Sequence, residues 1–304
     1  MTITAIIIVL ISVSMHATWN FLSKKTMPCA AFFFLVSIAA SCCWIWALPY
    51  CGLPQEAFSG KLILLMLLSI SAETVYLTGL FNAYSRTDIS LAYPVARSLP
   101  VLLIAIAYAA LYQRYPSAWG TVALLAVSFG CLIMPLKRFR DFGWKNYSGG
   151  AMFYILLAAV GTTGYTLTDS EWINSLKLLY GANGKIYASY VLSYIINTGL
   201  AVTMGIITFA SKKERENLRV LISAPANLIP ALLAGVLSSL AYVLILLAMT
   251  QTTQLSYLQA FRQMSLPLGM VLGCVFLREK IYIPKIIAII LILSGLLLIA
   301  FSGN

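Results

Sequence analysis

The sequence predicts an all-α polytopic membrane protein of ten spans in two related halves. Three observations carry that expectation. The 304 residues are 61% hydrophobic and 10% charged, with a mean hydropathy of +0.91, which lies outside the range of soluble globular domains. Apolar runs of about 20 residues, the length that crosses a bilayer, recur at 3–22, 29–50, 61–83, 89–112, 118–135, 149–170, 186–210, 227–249, 255–277 and 284–302. Finally, a shift of 165 residues brings Ala83 onto Ala248, Thr87 onto Thr252, Arg97 onto Arg262 and Gly130 onto Gly295. Seven identities over 83–135 are few, but they set one rare intramembrane arginine on another. The halves are 1–136 and 149–304, joined by a basic, aromatic linker at 137–148.

Span 1 reads as a retained helix, because no basic residue precedes its apolar run and His-Ala-Thr-Trp-Asn is not a small-residue cleavage site. Ser12, His16, Trp19, Asn20 and Ser23 fall on one helical face. In lipid such a face looks inward, either lining a cavity or bonding neighbouring helices. Span 2 is rich in aromatics. Phe32, Phe33 and Phe34 are consecutive, share no face and read as interfacial or lipid-facing. Span 3 carries Glu73 with Ser69 and Tyr76 on its face. Glu73 has two readings: an ion pair with Arg97, or an unpaired group that carries a proton or binds a cation.

Span 4 follows a very short turn and holds Tyr93, Pro94, Arg97 and Pro100. A guanidinium two turns inside an apolar run costs about 2.5–3.5 kcal/mol on insertion scales, so a partner, a wet cavity or an anionic ligand must offset it. Tyr93 lies one turn before Arg97, on the same side. The prolines free backbone carbonyls, as in helices that line a cavity. Span 5 is plain apart from Gly130.

The second half repeats this order. Thr162, Tyr165, Thr166 and Asp169 share a face of span 6, and a shift of 146 matches Tyr165 to Trp19. The later shift of 165 then implies extra residues in the second half, assigned to 171–185 and 211–226. The second of these reads as a short interfacial helix. Tyr190, Tyr194 and Asn197 share a face of span 7, and Ser238, Ser239 and Tyr242 mark span 8. Gln259 and Gln263 flank Arg262 in span 9, and span 10 reads as a packing or dimerisation helix.

The net charge of +11 reports topology rather than nucleic-acid binding. Fourteen of the 20 Lys and Arg residues lie in the connections after spans 1, 3, 5, 7 and 9, and four lie on the other side. The positive-inside rule sets the first group in the cytoplasm and both termini outside. Six cysteines without a C-x-x-C pair, and a single histidine, suggest neither a metal site nor a disulfide framework. No Ser/His/Asp arrangement or carboxylate pair at useful spacing suggests an enzyme. No cofactor is expected.

The aromatic-polar end of span 1 (His-Ala-Thr-Trp-Asn-Phe), the short turn before a proline-bearing span 4, and Leu-Arg-Glu-Lys before a glycine-bearing span 10 resemble the EamA-type transporters of the drug/metabolite transporter superfamily. The resemblance runs over nearly the whole chain and rests on the order of loose motifs. It implies two inverted five-helix repeats, with spans 1–4 and 6–9 around a central cavity and spans 5 and 10 peripheral. It leaves the substrate open.

The leading functional expectation is a secondary transporter for a small anionic or zwitterionic metabolite in the inner membrane of a bacterium, working as a monomer or homodimer and open to proton coupling. Arg97 and Arg262 clamp a carboxylate, phosphate or phosphonate, because a guanidinium fork bonds oxyanions bidentately. Trp19, Asn20, Tyr93, Tyr165, Tyr190, Tyr242 and Gln259 line the site, and Glu73, Asp169 and His16 serve coupling or gating. The bland alternative neutralises Arg97 with Glu73 and Arg262 with the neighbouring glutamines and carbonyls. Other functions in play are export of amino acids or hydrophobic cations, a lipid-linked-sugar flippase subunit, or a membrane protein that transports nothing.

Overall fold

A computed structural model describes residues 3–27, 29–86, 89–141, 150–277 and 281–302. Helices dominate, and no strand occurs among the described residues. In the first half α1 covers Ile3–Lys25, α2 Ala30–Cys43, α3 Ala47–Cys51, α4 Gly60–Tyr84, α5 Ile89–Tyr112 and α6 Ala118–Ile133. In the second, α7 covers Gly150–Leu179, α8 Gly184–Ala210, α9 Lys212–Ser223, α10 Pro225–Met249, α11 Leu255–Phe261, α12 Ser265–Leu277 and α13 Ile283–Ser302.

Among the described residues, seven helical stretches are long and apolar enough to cross a membrane: Ala30–Cys51, Gly60–Tyr84, Val95–Tyr112, Gly150–Leu179, Gly181–Ala210, Pro225–Met249 and Ile283–Phe301. These coincide with seven of the ten expected spans. Two others fall on shorter apolar helices, Ile3–Trp19 and Ala118–Ile133. The expected continuous span 255–277 is broken. A 3₁₀ turn at Arg262–Met264 separates α11 from α12, and Pro267, which has no N–H to bond Gln263, follows it.

The extra residues of the second half extend α7 past its expected end at 170 and form α9. Ser211 starts α9 by accepting the Glu214 N–H at 3.4 Å. Glu214 Oε2 in turn accepts the Ala31 N–H at 3.0 Å, at the first turn of α2, where Cys29 offers no side-chain cap. Glu214→Ala removes that acceptor and is expected to lower stability by about 1 kcal/mol, read as a lower melting temperature in detergent.

Phe32 and Phe33 correct the lipid-facing expectation: both are buried, and Phe33 reaches the central cavity. Phe34 packs edge-on against Phe209.

The most extensive helix pairing is α4 with α7, followed by α1 with α10, α6 with α13 and α2 with α8. Glycines allow the closest approaches. A Cβ on Gly161 of α7 would lie 2.5 Å from Tyr76 N, and one on Gly79 of α4 would lie 2.7 Å from Tyr154 O. A Cβ on Gly130 would meet Ala288 O at 2.9 Å, and one on Gly295 would meet Ala123 O at 2.9 Å. Numbers rise on one partner as they fall on the other, so both pairs are antiparallel. The core between these pairs leaves a central cavity.

Candidate functional site

The cavity has a volume of about 80 Å³, well above the ~15 Å³ that admits a single water. It lies between the two halves. Ser12, His16 and Trp19 of α1 face it, on the stripe that the sequence spacing marks out. Glu73 and Tyr76 enter from α4, Arg97 from α5, Tyr165 from α7 and Tyr242 from α10. Arg262 enters from the 3₁₀ turn.

The two arginines meet here, 3% and 6% exposed. Arg97 Nη2 donates to the backbone oxygen of Arg262 at 3.0 Å and to Ser265 Oγ at 3.2 Å. The repeat mates at a spacing of 165 are therefore bonded to each other. Arg262 Nη1 donates to Gln259 Oε1 at 3.1 Å and Nη2 to Tyr165 Oη at 3.4 Å. Both partners are neutral, and no carboxylate lies within ion-pair distance of Arg262 among the described residues. Among the described residues the guanidinium is thus hydrogen-bonded to neutral partners, with Glu73 on the same cavity.

Trp19 Nε1 donates to His16 Nδ1 at 2.8 Å. Arg97 Nη1 lies 3.1 Å from His16 Nε2, a contact that ties α5 to α1 and in which the imidazole tautomer decides the donor.

The carboxylates divide. No ion pair between Glu73 and Arg97 occurs among the described residues. Its Oε2 is buried with no partner among the described residues. Asp169 is fully buried and does not line the cavity. Ser69 Oγ donates to its Oδ1, and Tyr242 Oη donates to Oδ2 at 2.7 Å. Asp169 thereby anchors a cavity-wall tyrosine. Tyr242→Phe strips one of its two hydroxyl donors and is expected to cost about 1–3 kcal/mol. A thermal denaturation measurement checks this, with Ser238→Ala as the comparison.

Tyr190 is a correction. It stacks on Trp44 at 5.0 Å between ring centroids instead of lining the cavity. Gln259 stands behind Arg262, outside the lining. The side chains of Asn20 and Tyr93 lie outside the described residues. Sequence reasoning missed Phe33 and Ser37 of α2 and Leu200 of α8 as lining. Asn197, on the stripe of Tyr190 and Tyr194, was the signal that α8 contributes.

The fold and site define the class: an apolar, helical, membrane-type protein with a charged internal cavity. Among the solved structures that this chain resembles, one crystal structure matches over 99% of this chain and 98% of its own, at a TM-score of 0.75 and 14% sequence identity. That likeness concerns the fold alone. No protein-family model matches the sequence, and no curated protein matches it either.

Proposed function

We propose that the protein is a secondary transporter of the EamA type that moves a small anionic or zwitterionic metabolite through the central cavity by alternating access. The carrying observation is the convergence of Arg97 and Arg262 on one small cavity, with Arg262 hydrogen-bonded to neutral groups among the described residues. Burying a guanidinium this way is costly, and an oxyanion offsets the cost through charge-assisted bonds. The bare Glu73 Oε2 on the same cavity favours a substrate that also carries an ammonium group.

Packing supports two inverted repeats of five spans. Exchanging the halves turns the α4–α7 pairing into α1–α10 and maps α6–α13 and α2–α8 onto themselves. Gly130 against Ala288 and Gly295 against Ala123 are the same contact under the shift of 165, and their helices run antiparallel. Such repeats carry substrate near the bilayer midplane. The charge bias favours both termini on the outer side of a bacterial inner membrane, with α9 and its basic residues at the cytoplasmic face.

The experiment is thermal stabilisation of the purified protein by phosphate, carboxylates, amino acids and cationic dyes. Ligands of the native state raise its melting temperature by mass action. Stabilisation by anions or zwitterions supports the reading. Stabilisation by dyes alone moves the function to cation export.

A further inference from the structure

α11 and the 3₁₀ turn that follows it carry polar side chains that their position does not explain. Ser256, Gln259 and Gln263 are all 0% exposed. Ser256 and Gln259, at i and i+3, share a face of α11, and Gln263, in the turn, continues it by donating from Nε2 to the Gln259 oxygen at 2.8 Å. Ser256 Oγ, Gln259 Nε2 and Gln263 Oε1 have no hydrogen-bond partner among the described residues. An unmade hydrogen bond in a buried site is destabilising, so a fold under no other demand would fill these positions with apolar groups.

The first half provides an internal comparison. Under the shift of 165, Ser256, Gln259 and Gln263 correspond to Leu91, Pro94 and Ser98. Two of the three are apolar, and the Ser98 hydroxyl is satisfied by the Val95 oxygen at 2.9 Å. The equivalent helix therefore forms without this stripe, and the stripe belongs to the second half alone.

Its location gives it a direction. Gln259 holds Arg262, which lines the cavity. At the other end Gln254 Nε2 donates to the Tyr115 oxygen, in the connection between α5 and α6, while its Oε1 is buried without a partner. From Arg262 to Ser256 the helix rises about 9 Å at ~1.5 Å per residue, much of the roughly 15 Å from the midplane to the edge of the hydrocarbon core. The 3₁₀ turn at Arg262–Met264 lies where α11 meets α12, the kind of break that marks a hinge.

We propose that the Ser256–Gln259–Gln263 face is the closed half of the substrate path. When α11 pivots at the 3₁₀ turn, this face becomes wet and leads from Arg262 to the end of the bundle formed by the 250–254 and 113–117 connections. Amides and hydroxyls both donate and accept, so they pass an anion or zwitterion along without holding it as the arginines do. The inference rests on the transport reading above.

The test needs no substrate. Ser256→Cys and Gln263→Cys are reconstituted in liposomes and treated with a charged, water-soluble methanethiosulfonate, and modification is read by peptide mass spectrometry. Phe261→Cys is the control, since Phe261 is also buried and its helical spacing sets it opposite Ser256 and Gln259. Both stripe positions are expected to react at least tenfold faster than the control. Reaction no faster than the control overturns the proposal, because a closed pocket of trapped waters admits no such reagent. Should a cysteine variant fail to fold, Ser256→Ala combined with Gln263→Met decides. An equal or higher melting temperature agrees with polar groups kept for the path, and a clear drop assigns them to the fold. Anion stabilisation is measured separately, so loss of the arginine clamp and loss of the stripe are told apart.

Discussion

Arg262→Gln is expected to remove stabilisation by small anions while leaving the protein folded. Glutamine still reaches toward Gln259 and Tyr165, the two neutral partners of the native side chain, so little of the framework is lost. The charge and its fork are lost. Hydrogen bonds to charged groups contribute about 1.5–3 kcal/mol each, and about 1.4 kcal/mol is a factor of ten in affinity. At least tenfold weaker binding is therefore expected, read as the displacement of the curve of melting temperature against phosphate or carboxylate concentration. Arg262→Lys keeps the charge but not the bidentate geometry and falls between the two. Arg97→Gln weakens the same response and also lowers stability without ligand, because Arg97 ties α5 to the Arg262 oxygen and Ser265. Wild-type anion stabilisation in both glutamine variants would sink the clamp and leave the arginines as structural groups.

The largest effect on stability is expected at Gly161. An added Cβ at this position would lie 2.5 Å from Tyr76 N and 2.6 Å from Ala72 O. Both are backbone atoms of α4, so no side chain can rotate away and the helices must separate. Overpacking of this kind costs about 1–3 kcal/mol, with the upper part expected here because the α4–α7 pairing is the most extensive in the molecule. Gly79→Ala acts on the same contact from the other side. Gly269→Ala is the comparison: nothing lies within 4 Å of its added Cβ, and alanine favours a helix by up to about 1 kcal/mol over glycine. Melting temperatures in detergent should fall clearly for Gly161→Ala and hold or rise for Gly269→Ala. Equal behaviour of the two would refute the backbone-contact argument.

Much of this architecture was legible in the sequence, since hydropathy reports lipid-exposed length directly. The positions of the helices, the echo of Arg97 in Arg262 and the inward stripe of His16 and Trp19 all follow from apolar length and a period of 3.6. The break at Arg262–Met264 was not legible, because an apolar run looks the same whether its backbone is α-helical or briefly 3₁₀. Nor was the division of the carboxylates. Periodicity tells which residues share a face but not which helix stands opposite. Asp169 therefore reads as a cavity group when it in fact bonds Ser69 and Tyr242 from neighbouring helices. Tyr190 shares a stripe with Asn197, yet only the deeper residue reaches the cavity. Depth along a helix separates them, and a sequence stripe carries no depth.

The reciprocal contact of Gly79 and Gly161 bears on how the molecule can move. α4 comes from the first half of the chain and α7 from the second, and their backbones meet with no side chain between them. The pairing of α1 with α10 also takes one helix from each half. The chain divides at the linker, but the packing does not, so moving one half as a whole against the other would have to part backbone from backbone.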